Sequence, residues 1–174
     1  MKKQYKQKEF RTDRLKLSQL DSVNLEDLHK LRSNNEIVKY VDKSIDQSIE
    51  ETQQFIEKIN EGVQEQSWYY WSIIQTDKLV LIGTICLWAF DKNKTSAEIG
   101  FELHPAYQGM GVMTEAIQPI IDFAFKNLGL KQITGFTHRE NSASHKLLKK
   151  NKFYELGTED NNIIFALDNP NIVS

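Results

Sequence analysis

The stretch AEIGFELHPAYQGMGVMTEAI, residues 97–117, decides how the rest of the chain is interpreted. It begins as an apolar run that ends before Pro105, contains Gly109 and Gly111, and continues as a long amphipathic run. Glycine lets successive backbone N–H groups converge on an anion at the positive end of a helix. By itself the pattern fits a tight turn as well as an anion cradle. No Gly-Lys-Ser/Thr follows and a third glycine is missing, which excludes a Walker loop and a dinucleotide fingerprint.

The segments before this stretch change their hydrophobic period. RLKLSQL (14–20) alternates apolar and polar residues, which predicts a first strand. NLEDLHKLRSN (24–34) has leucines at helical spacing, and SIEE (48–51) is a capping box in front of a second helix. WYYWSII, LVLIGTICLWAF and SAEIGFEL are aromatic and β-branched runs separated by short polar turns. These three runs indicate three consecutive antiparallel strands.

The segments after it complete one α+β domain. A helical face runs from Ile117 to Leu128 and ends at Gly129, and we expect a kink at Pro119 inside it. KQITGFTH predicts a strand, NSASHKLLKKN a short helix, and FYELGT with NIIFALD a closing hairpin. The sequence therefore predicts a polar N-terminal tail at residues 1–10 and a single domain at residues 11–174. Its sheet should be mixed and mainly antiparallel.

Composition excludes several classes of function. Of 174 residues, 40% are hydrophobic and 26% charged, an ordinary balance for one globular domain. A net charge of −2 argues against a dedicated nucleic-acid-binding protein, and no apolar run approaches the roughly 18 residues of a membrane span. Cys86 is the single cysteine, and the histidines lack metal-ligand spacing, so no metal site is predicted. We expect a cytoplasmic protein that binds neither nucleic acid nor membrane.

The order of elements resembles the GNAT superfamily of acetyl-CoA-dependent N-acetyltransferases over residues 14–167. AEIGFELHPAYQGMGVMTEAI, NSASHKLLKKNKF and TDRLKL are similar to the RimJ/RimL branch, which acetylates the N-terminal amines of ribosomal proteins. The resemblance implies a twisted sheet of about seven strands, helices on both of its faces, and a splayed cleft for the cofactor. Acetyl-CoA would be the co-substrate and a protein N-terminus the acceptor. A homodimer is left open.

The resemblance also implies a set of cofactor contacts. The superfamily pattern QxxGxG/A, which binds the pyrophosphate of coenzyme A, maps onto Gln108, Gly111 and Met113. Met113 stands where a small residue is expected, so either the turn is tighter or the side chain is directed away. The strand at 101–103 would pair with the pantetheine arm. The full implied set is Phe101, Glu102, Leu103, Gln108, Gly109, Met110, Gly111, Val112, Met113, Thr114, Asn141 and Ser144.

Acid and base groups for amine acetylation can be assigned to residues. Glu98, Gly100 and Glu102 share one face of a strand, and Glu98 is the candidate that orients or deprotonates the amine, directly or through water. An ion pair with lysine or arginine is the alternative role of each acid. His138, at the end of a strand, or water are the alternatives as base. The aromatic residues of these strands are expected mostly in the sheet core, with some on the opposite face lining an acceptor pocket; they are Trp68, Trp71, Trp88, Tyr69, Tyr70 and Phe90.

The proton donor to the departing thiolate is a separate question. Many members of the superfamily have a tyrosine seven residues after the position of Asn141, but this chain has Leu148 there. In the RimL-like pattern the donor is a serine three residues after the asparagine, here Ser144; the alternative is that Ser144 caps its helix. Direct transfer in a ternary complex follows, because Cys86 has no evident base. Acetylation of a small-molecule amine, or coenzyme A binding without catalysis, are the other functions left open.

Overall fold

The computed structural model describes residues 5–41 and 43–172. Its strands in this range are β1 Phe10–Arg11, β2 Leu15–Gln19, β3 Tyr69–Gln75, β4 Val80–Trp88, β5 Ser96–Leu103, β6 Gln132–His138, β7 Tyr154–Glu159 and β8 Asn162–Asp168. The α-helices are α1 Leu25–Arg32, α2 Asn35–Val38, α3 Ile49–Gln64, α4 Val112–Asp122 and α5 Ser142–Lys150. The elements predicted from the sequence are therefore confirmed in type and order.

One mixed sheet contains all the described strands in the order β1-β2-β3-β4-β5-β6-β8-β7. Every neighbouring pair is antiparallel except β5 and β6, which are parallel. The predicted α+β fold with a mainly antiparallel sheet is confirmed. Eight strands are present where about seven were expected, because the two residues of β1 add a short edge beside β2.

Helices cover both faces of the sheet, as expected. The alternating side chains of β3 divide between two cores: Tyr69, Trp71 and Ile73 belong to the cluster that contains α4. Tyr70 and Ile74 pack against the cluster that contains α1 and α3. Successive side chains of a strand point to opposite faces, so the aromatic run of β3 stabilises both layers at once.

The segment from Tyr5 to Phe10, which the sequence analysis groups with the polar tail, lies against the sheet. β2 ends opposite Trp71, and beyond that point the side chain of Gln7 bonds the backbone of Tyr70, accepting from its N–H at 3.0 Å and donating to its carbonyl at 2.8 Å. Gln7 is only 2% exposed. An amide side chain can donate and accept at the same time, as a backbone peptide unit does, so Gln7 replaces a neighbouring strand at this position.

Helix α4 contains Pro119 but remains continuous through Asp122. The irregularity lies one turn later, where residues 123–127 form a π-helix and Leu128 N–H donates to the carbonyl of Phe123 at 3.0 Å. The chain then leaves the helix at Gly129, with φ +67°. The departure from α-helical geometry therefore follows Pro119, whereas the sequence predicts it at the proline itself. None of the helices in the described ranges is long and apolar enough to cross a membrane.

Candidate active site

A cleft opens where β5 and β6 diverge. The two strands pair only over Ser96–Glu98 and Gln132–Thr134. Beyond Glu98, no strand of the described residues pairs with the edge of β5 that faces β6, although β4 continues to pair with its other edge as far as Leu103. The N-terminus of α5 and the turn before α4 stand at the sides of this opening. The divergence of this parallel pair opens a V-shaped cleft in the sheet, as predicted from the resemblance.

A groove of about 650 Å³ occupies the cleft. It is lined by the predicted cofactor residues except Met110, which is 58% exposed. The predicted residues in its wall are Phe101, Glu102, Leu103, Gln108, Gly109, Gly111, Val112, Met113, Thr114, Asn141 and Ser144. The tertiary structure therefore brings two sequence segments, 101–114 and 141–144, to one surface.

The turn in front of α4 requires its glycines. Gly109 and Gly111 have φ of +75° and +73°, the left-handed region that other residues occupy at a cost. A Cβ at Gly109 would meet no atom within 4 Å, so the backbone is open toward the groove. Gln108 Nε2 donates to the carbonyl of Leu103 at 3.0 Å and fastens the turn to β5. Met113 is 7% exposed and packs in the core, so its side chain is directed away from the turn.

A cation–carboxylate pair, which the sequence did not reveal, supports this turn. Glu115 in the first turn of α4 accepts from the Arg14 side chain at 2.7 Å, from the Arg14 backbone at 2.9 Å and from the Thr12 hydroxyl. Arg14 also donates to the carbonyl of Met110 at 3.0 Å. Burial acts to raise the pKa of Glu115, but these hydrogen bonds outweigh it and hold the pKa below its usual value. The half-exposed guanidinium, paired with this carboxylate, lies beside Gly111.

Asn141 and Ser144 form the first turn of α5. The Asn141 side chain accepts from the Ser144 backbone N–H at 3.2 Å and is the N-cap of the helix. Ser144 occupies the third helical position, so capping belongs to Asn141 and the Ser144 hydroxyl is not the cap. Both residues line the groove and a second cavity beside it. Leu148, one turn further along, is fully buried against Gly135 and belongs to the core.

The second cavity, of about 240 Å³, lies on the other side of the β5 edge and meets the groove at Phe101 and Glu102. Glu98, Gly100 and Glu102 line it from β5, as their shared face predicts. The two acids are four positions apart in the strand, so their Cα atoms lie about 13 Å apart along it. Aromatic side chains also line the cavity, and these are Tyr40, Tyr70, Trp88 and Phe136.

The two acids of this cavity differ in their surroundings. Burial raises the pKa of Glu98 to about 7. Glu102 forms an ion pair with Lys43, whose side chain is 29% exposed, from the segment that follows α2. Sequence reasoning missed Lys43, because nothing in the pattern of the 39–46 segment places it opposite β5. Burial, followed by the charge of Glu102, raises the pKa of the Cys86 thiol to about 12, which makes it a poor nucleophile.

His138 stands at the mouth of the same cavity. Its Nδ1 accepts from the Glu140 backbone N–H at 3.2 Å, so the neutral ring carries its hydrogen on Nε2. The ring stacks on Tyr40 with centroids 5.6 Å apart. Thr137, also in the cavity wall, is 7% exposed, and its hydroxyl finds no hydrogen-bond partner among the described residues. Tyr40 and Thr137 carry no local sequence signal and are recognised only from their positions.

The site can now be compared with known proteins. A family model described as an acetyltransferase (GNAT) domain matches residues 14–154. The chain belongs to the GNAT acetyltransferase family. An uncharacterized N-acetyltransferase of Bacillus subtilis, YoaA, is 33% identical to this acetyltransferase over 146 residues, which cover 84% of the chain and 82% of YoaA. The protein is thus an acetyl-CoA-dependent N-acetyltransferase.

Solved structures share the architecture of this acetyltransferase. The ribosomal-protein-S5-alanine acetyltransferase from Vibrio fischeri superposes with a TM-score of 0.84 at 18% identity, covering 95% of this chain and 98% of that one. The spermidine N-acetyltransferase from Vibrio cholerae, in complex with CoA and spermine, gives a TM-score of 0.76 at 21% identity, with coverage of 91% and 97%. At these identities the likeness shows the fold alone, and it confirms the predicted GNAT domain.

The cleft of the acetyltransferase fits its co-substrate. Open backbone at Gly109 and the N-terminus of α4 form a positive end, which suits a pyrophosphate, and the half-exposed Arg14 guanidinium lies beside it. The unpaired edge of β5 offers free amide groups of the kind that an extended pantetheine arm can bind. Within residues 5–41 and 43–172, no group of three or more His, Cys, Asp or Glu side chains is arranged to hold a metal ion.

Proposed function

We propose that the acetyltransferase modifies the N-terminal amine of a protein or peptide, by direct attack of the amine on acetyl-CoA in a ternary complex. The size of the acceptor cavity carries this proposal. Its volume of about 240 Å³ lies below the roughly 300–1,000 Å³ of pockets that enclose a whole small molecule. Such a cavity suits the first residue of a longer chain, whose remainder would lie outside against the exposed Trp88 and Phe136.

The cofactor is assigned to the groove. The backbone from Gln108 to Thr114 would hold the pyrophosphate, with Gly109 and Gly111 allowing close approach and α4 adding the positive end of its dipole. The backbone of residues 101–103 would pair with the pantetheine arm as an added strand, and Asn141 would meet its thioester end from α5. The bound co-substrate supplies an activated acetyl group.

Glu98 is proposed as the base. An ammonium group must lose a proton before its nitrogen can attack, and a carboxylate with a pKa of about 7 accepts that proton near neutral pH. Its position in the aromatic-walled cavity also suits initial binding of the ammonium. His138 is the poorer candidate, because its Nδ1 is already engaged by Glu140 and its Nε2 carries the hydrogen.

Ser144 is proposed as the proton donor to the departing thiolate. It lines both cavities at the point where they meet, at the N-terminus of α5. Since Asn141 already caps that helix, the Ser144 hydroxyl is left for the reaction. The positive end of the helix dipole favours loss of the hydroxyl proton. The position occupied by tyrosine in many relatives cannot serve here, because Leu148 is buried in the core.

A thiol-release assay with acetyl-CoA tests the proposal. The acceptors are peptides with free α-amines and different first residues, the same peptides with a blocked N-terminus, polyamines and aminoglycosides. We expect turnover of free peptides, none of blocked ones, and mass spectra that place the acetyl group on the α-amine. Turnover confined to polyamines or aminoglycosides would contradict the peptide assignment while preserving the acetyl-transfer chemistry.

A polyamine is the second candidate acceptor, and one observation favours it. Glu98 and Glu102 are two acids in one aromatic-walled cavity, a combination that suits a molecule with two ammonium groups. The fold is also shared with a spermidine N-acetyltransferase. The ion pair of Glu102 with Lys43 bears on the choice between the two acceptor classes.

A further inference from the structure

Glu102 does not face the cavity as a free carboxylate. Its Oε1 is bound by the Lys43 ammonium group, and both side chains are largely shielded from water, with exposures of 15% and 29%. A carboxylate that is already paired with a cation offers little attraction to a second one. Glu98 has no ion-pair partner among the described residues, so it is the acid available to a cationic acceptor.

Lys43 is held in place by the structure around it. Its backbone N–H donates to the carbonyl of Val41 at 2.9 Å. Three residues later, Asp46 is buried and accepts from Arg32 at 2.6 and 2.8 Å and from the Thr52 hydroxyl at 2.7 Å. These bonds anchor the segment between α2 and α3 to α1 and α3. Lys43 therefore reaches Glu102 from a fixed backbone, unlike a lysine on a free surface loop.

The ion pair lies where the second charge of a polyamine would bind. Glu102 is about 13 Å from Glu98 along β5, and it lines both cavities. An acceptor whose reacting nitrogen lies near Glu98 would direct a second ammonium toward Glu102. That group would meet the like charge of Lys43, or would have to displace it from a shielded pair, and both cost free energy.

We infer that Lys43 is a specificity-determining residue that excludes acceptors with a second ammonium group, so that the acceptor is a primary amine with no further cation nearby. The inference rests on the proposed function, because it concerns the acceptor of that reaction. It favours an N-terminal amine followed by uncharged residues over a polyamine. The residue acts by occupying Glu102, and it takes no part in proton transfer.

Competition against a peptide acceptor tests the inference. The probes are n-octylamine and the eight-carbon α,ω-diamine, which have the same chain length and differ by one ammonium group. In the parent protein the diamine should inhibit no better than the monoamine. In Lys43→Met, which keeps the length of the side chain without its charge, the inhibition constant of the diamine relative to that of the monoamine should fall about tenfold, equivalent to about 1.4 kcal/mol.

Three further variants make the result specific. Lys43→Arg keeps the charge and should keep the parent ratio. Lys30→Met removes an equal charge from an exposed pair with Asp27 on α1 and should also keep it. Glu102→Gln combined with Lys43→Met should abolish the gain, since the freed carboxylate is then missing. Lys43→Gln repeats the test if Lys43→Met does not fold, as monitored by thermal melting.

The outcomes separate the inference from the proposed function. Peptide acetylation with an unchanged diamine-to-monoamine ratio in Lys43→Met and Lys43→Gln overturns the inference alone. Efficient acetylation of polyamines by the parent protein also overturns it. No turnover of any peptide by the parent protein removes the proposed function, and the inference with it.

Discussion

Arg14 and Glu115 form a salt bridge of 2.7 Å that fastens the beginning of β2 to the first turn of α4. The two residues are separated by 101 positions in the sequence, and each contacts the glycine turn or the helix that follows it. Arg14 donates to the carbonyl of Met110, and Glu115 accepts from Arg14. The shape of the turn therefore depends on a contact with a residue that is distant in the sequence.

Glu115→Gln should weaken both the fold and the cofactor site. We expect an increase of about tenfold in KM for acetyl-CoA and a loss of about 2 kcal/mol in the free energy of unfolding at pH 7. Because the pKa of Glu115 is lowered in the folded state, its stabilisation is present above about pH 4.5 and is lost as pH falls through the folded-state pKa. The difference between the proteins in denaturant unfolding should therefore shrink as pH falls below about 4.5. Asp122→Asn removes an exposed pair with Lys126 and is the control. Neither KM for acetyl-CoA nor the free energy of unfolding should change much in this variant.

Glu98→Gln should abolish the pH dependence of acetyl transfer near neutrality. In the parent protein kcat/KM should rise with pH around an apparent pKa of about 7, because the carboxylate must be ionised to accept a proton. The variant should lose about 100-fold in kcat/KM at pH 8 and show no step near pH 7. Glu155→Gln removes an exposed glutamate of β7 that pairs with Lys149 of α5, and it should keep the parent profile. A parent profile that survives in Glu98→Gln would assign the base elsewhere.

Glu98 also affects the stability of the fold, which should fall as pH rises while kcat/KM increases. The pKa of Glu98 is raised in the folded state, so its contribution to stability is fully present below about pH 4.5 and is lost as pH rises through about 7. Glu98→Gln removes this dependence. The variant should therefore gain stability relative to the parent protein as pH rises from 4.5 to 8, as thermal melting across this range can measure.

Ser144→Ala should reduce kcat by about 10- to 100-fold while KM for acetyl-CoA stays within about twofold. An acetyl donor with a more acidic thiol should restore much of the rate, since its departing thiolate needs no proton. Helix stability should be preserved because Asn141 is the cap, whereas Asn141→Ala should cost about 1 kcal/mol. Full activity of Ser144→Ala with acetyl-CoA would exclude the hydroxyl as the proton donor.

Gly111→Ala should reduce the affinity for coenzyme A. The residue has φ +73°, where alanine costs about 1 kcal/mol, and the distorted turn would redirect the N–H groups at the start of α4. The added Cβ itself meets only Arg14, at 3.7 Å, so strain and not collision is the cause. Gly157→Ala is the matched control, because no atom lies within 4 Å of its Cβ position and its φ is not positive. Calorimetric titration with coenzyme A compares the two, and equal affinities would remove the role of Gly111 in the turn.

Local signals in the sequence were sufficient for much of this site. The period of each strand placed Glu98 and Glu102 on one face of β5, and the glycine pair placed a left-handed turn before α4. These features depend on residues within a few positions of one another, so they can be predicted from a single sequence. Asn141 was assigned to the site by the resemblance, and the sequence left Ser144 open as the cap of α5, whereas the structure shows that Asn141 is the cap. Met113 shows the limit, since the sequence left two orientations open and packing in the core selected one.

What the sequence by itself determined is the order of elements, the α+β fold and the residues at the mouth of α4 and α5. What only the tertiary structure decided is which charges meet: Arg14 with Glu115, and Lys43 with Glu102. The physical reason is that periodicity and turn chemistry act over one or two turns of chain, whereas an ion pair depends on the distance between side chains that folding brings together from far apart. The fate of Glu102, and with it the charge of the acceptor cavity, therefore depends on a lysine that lies 59 positions away in the sequence.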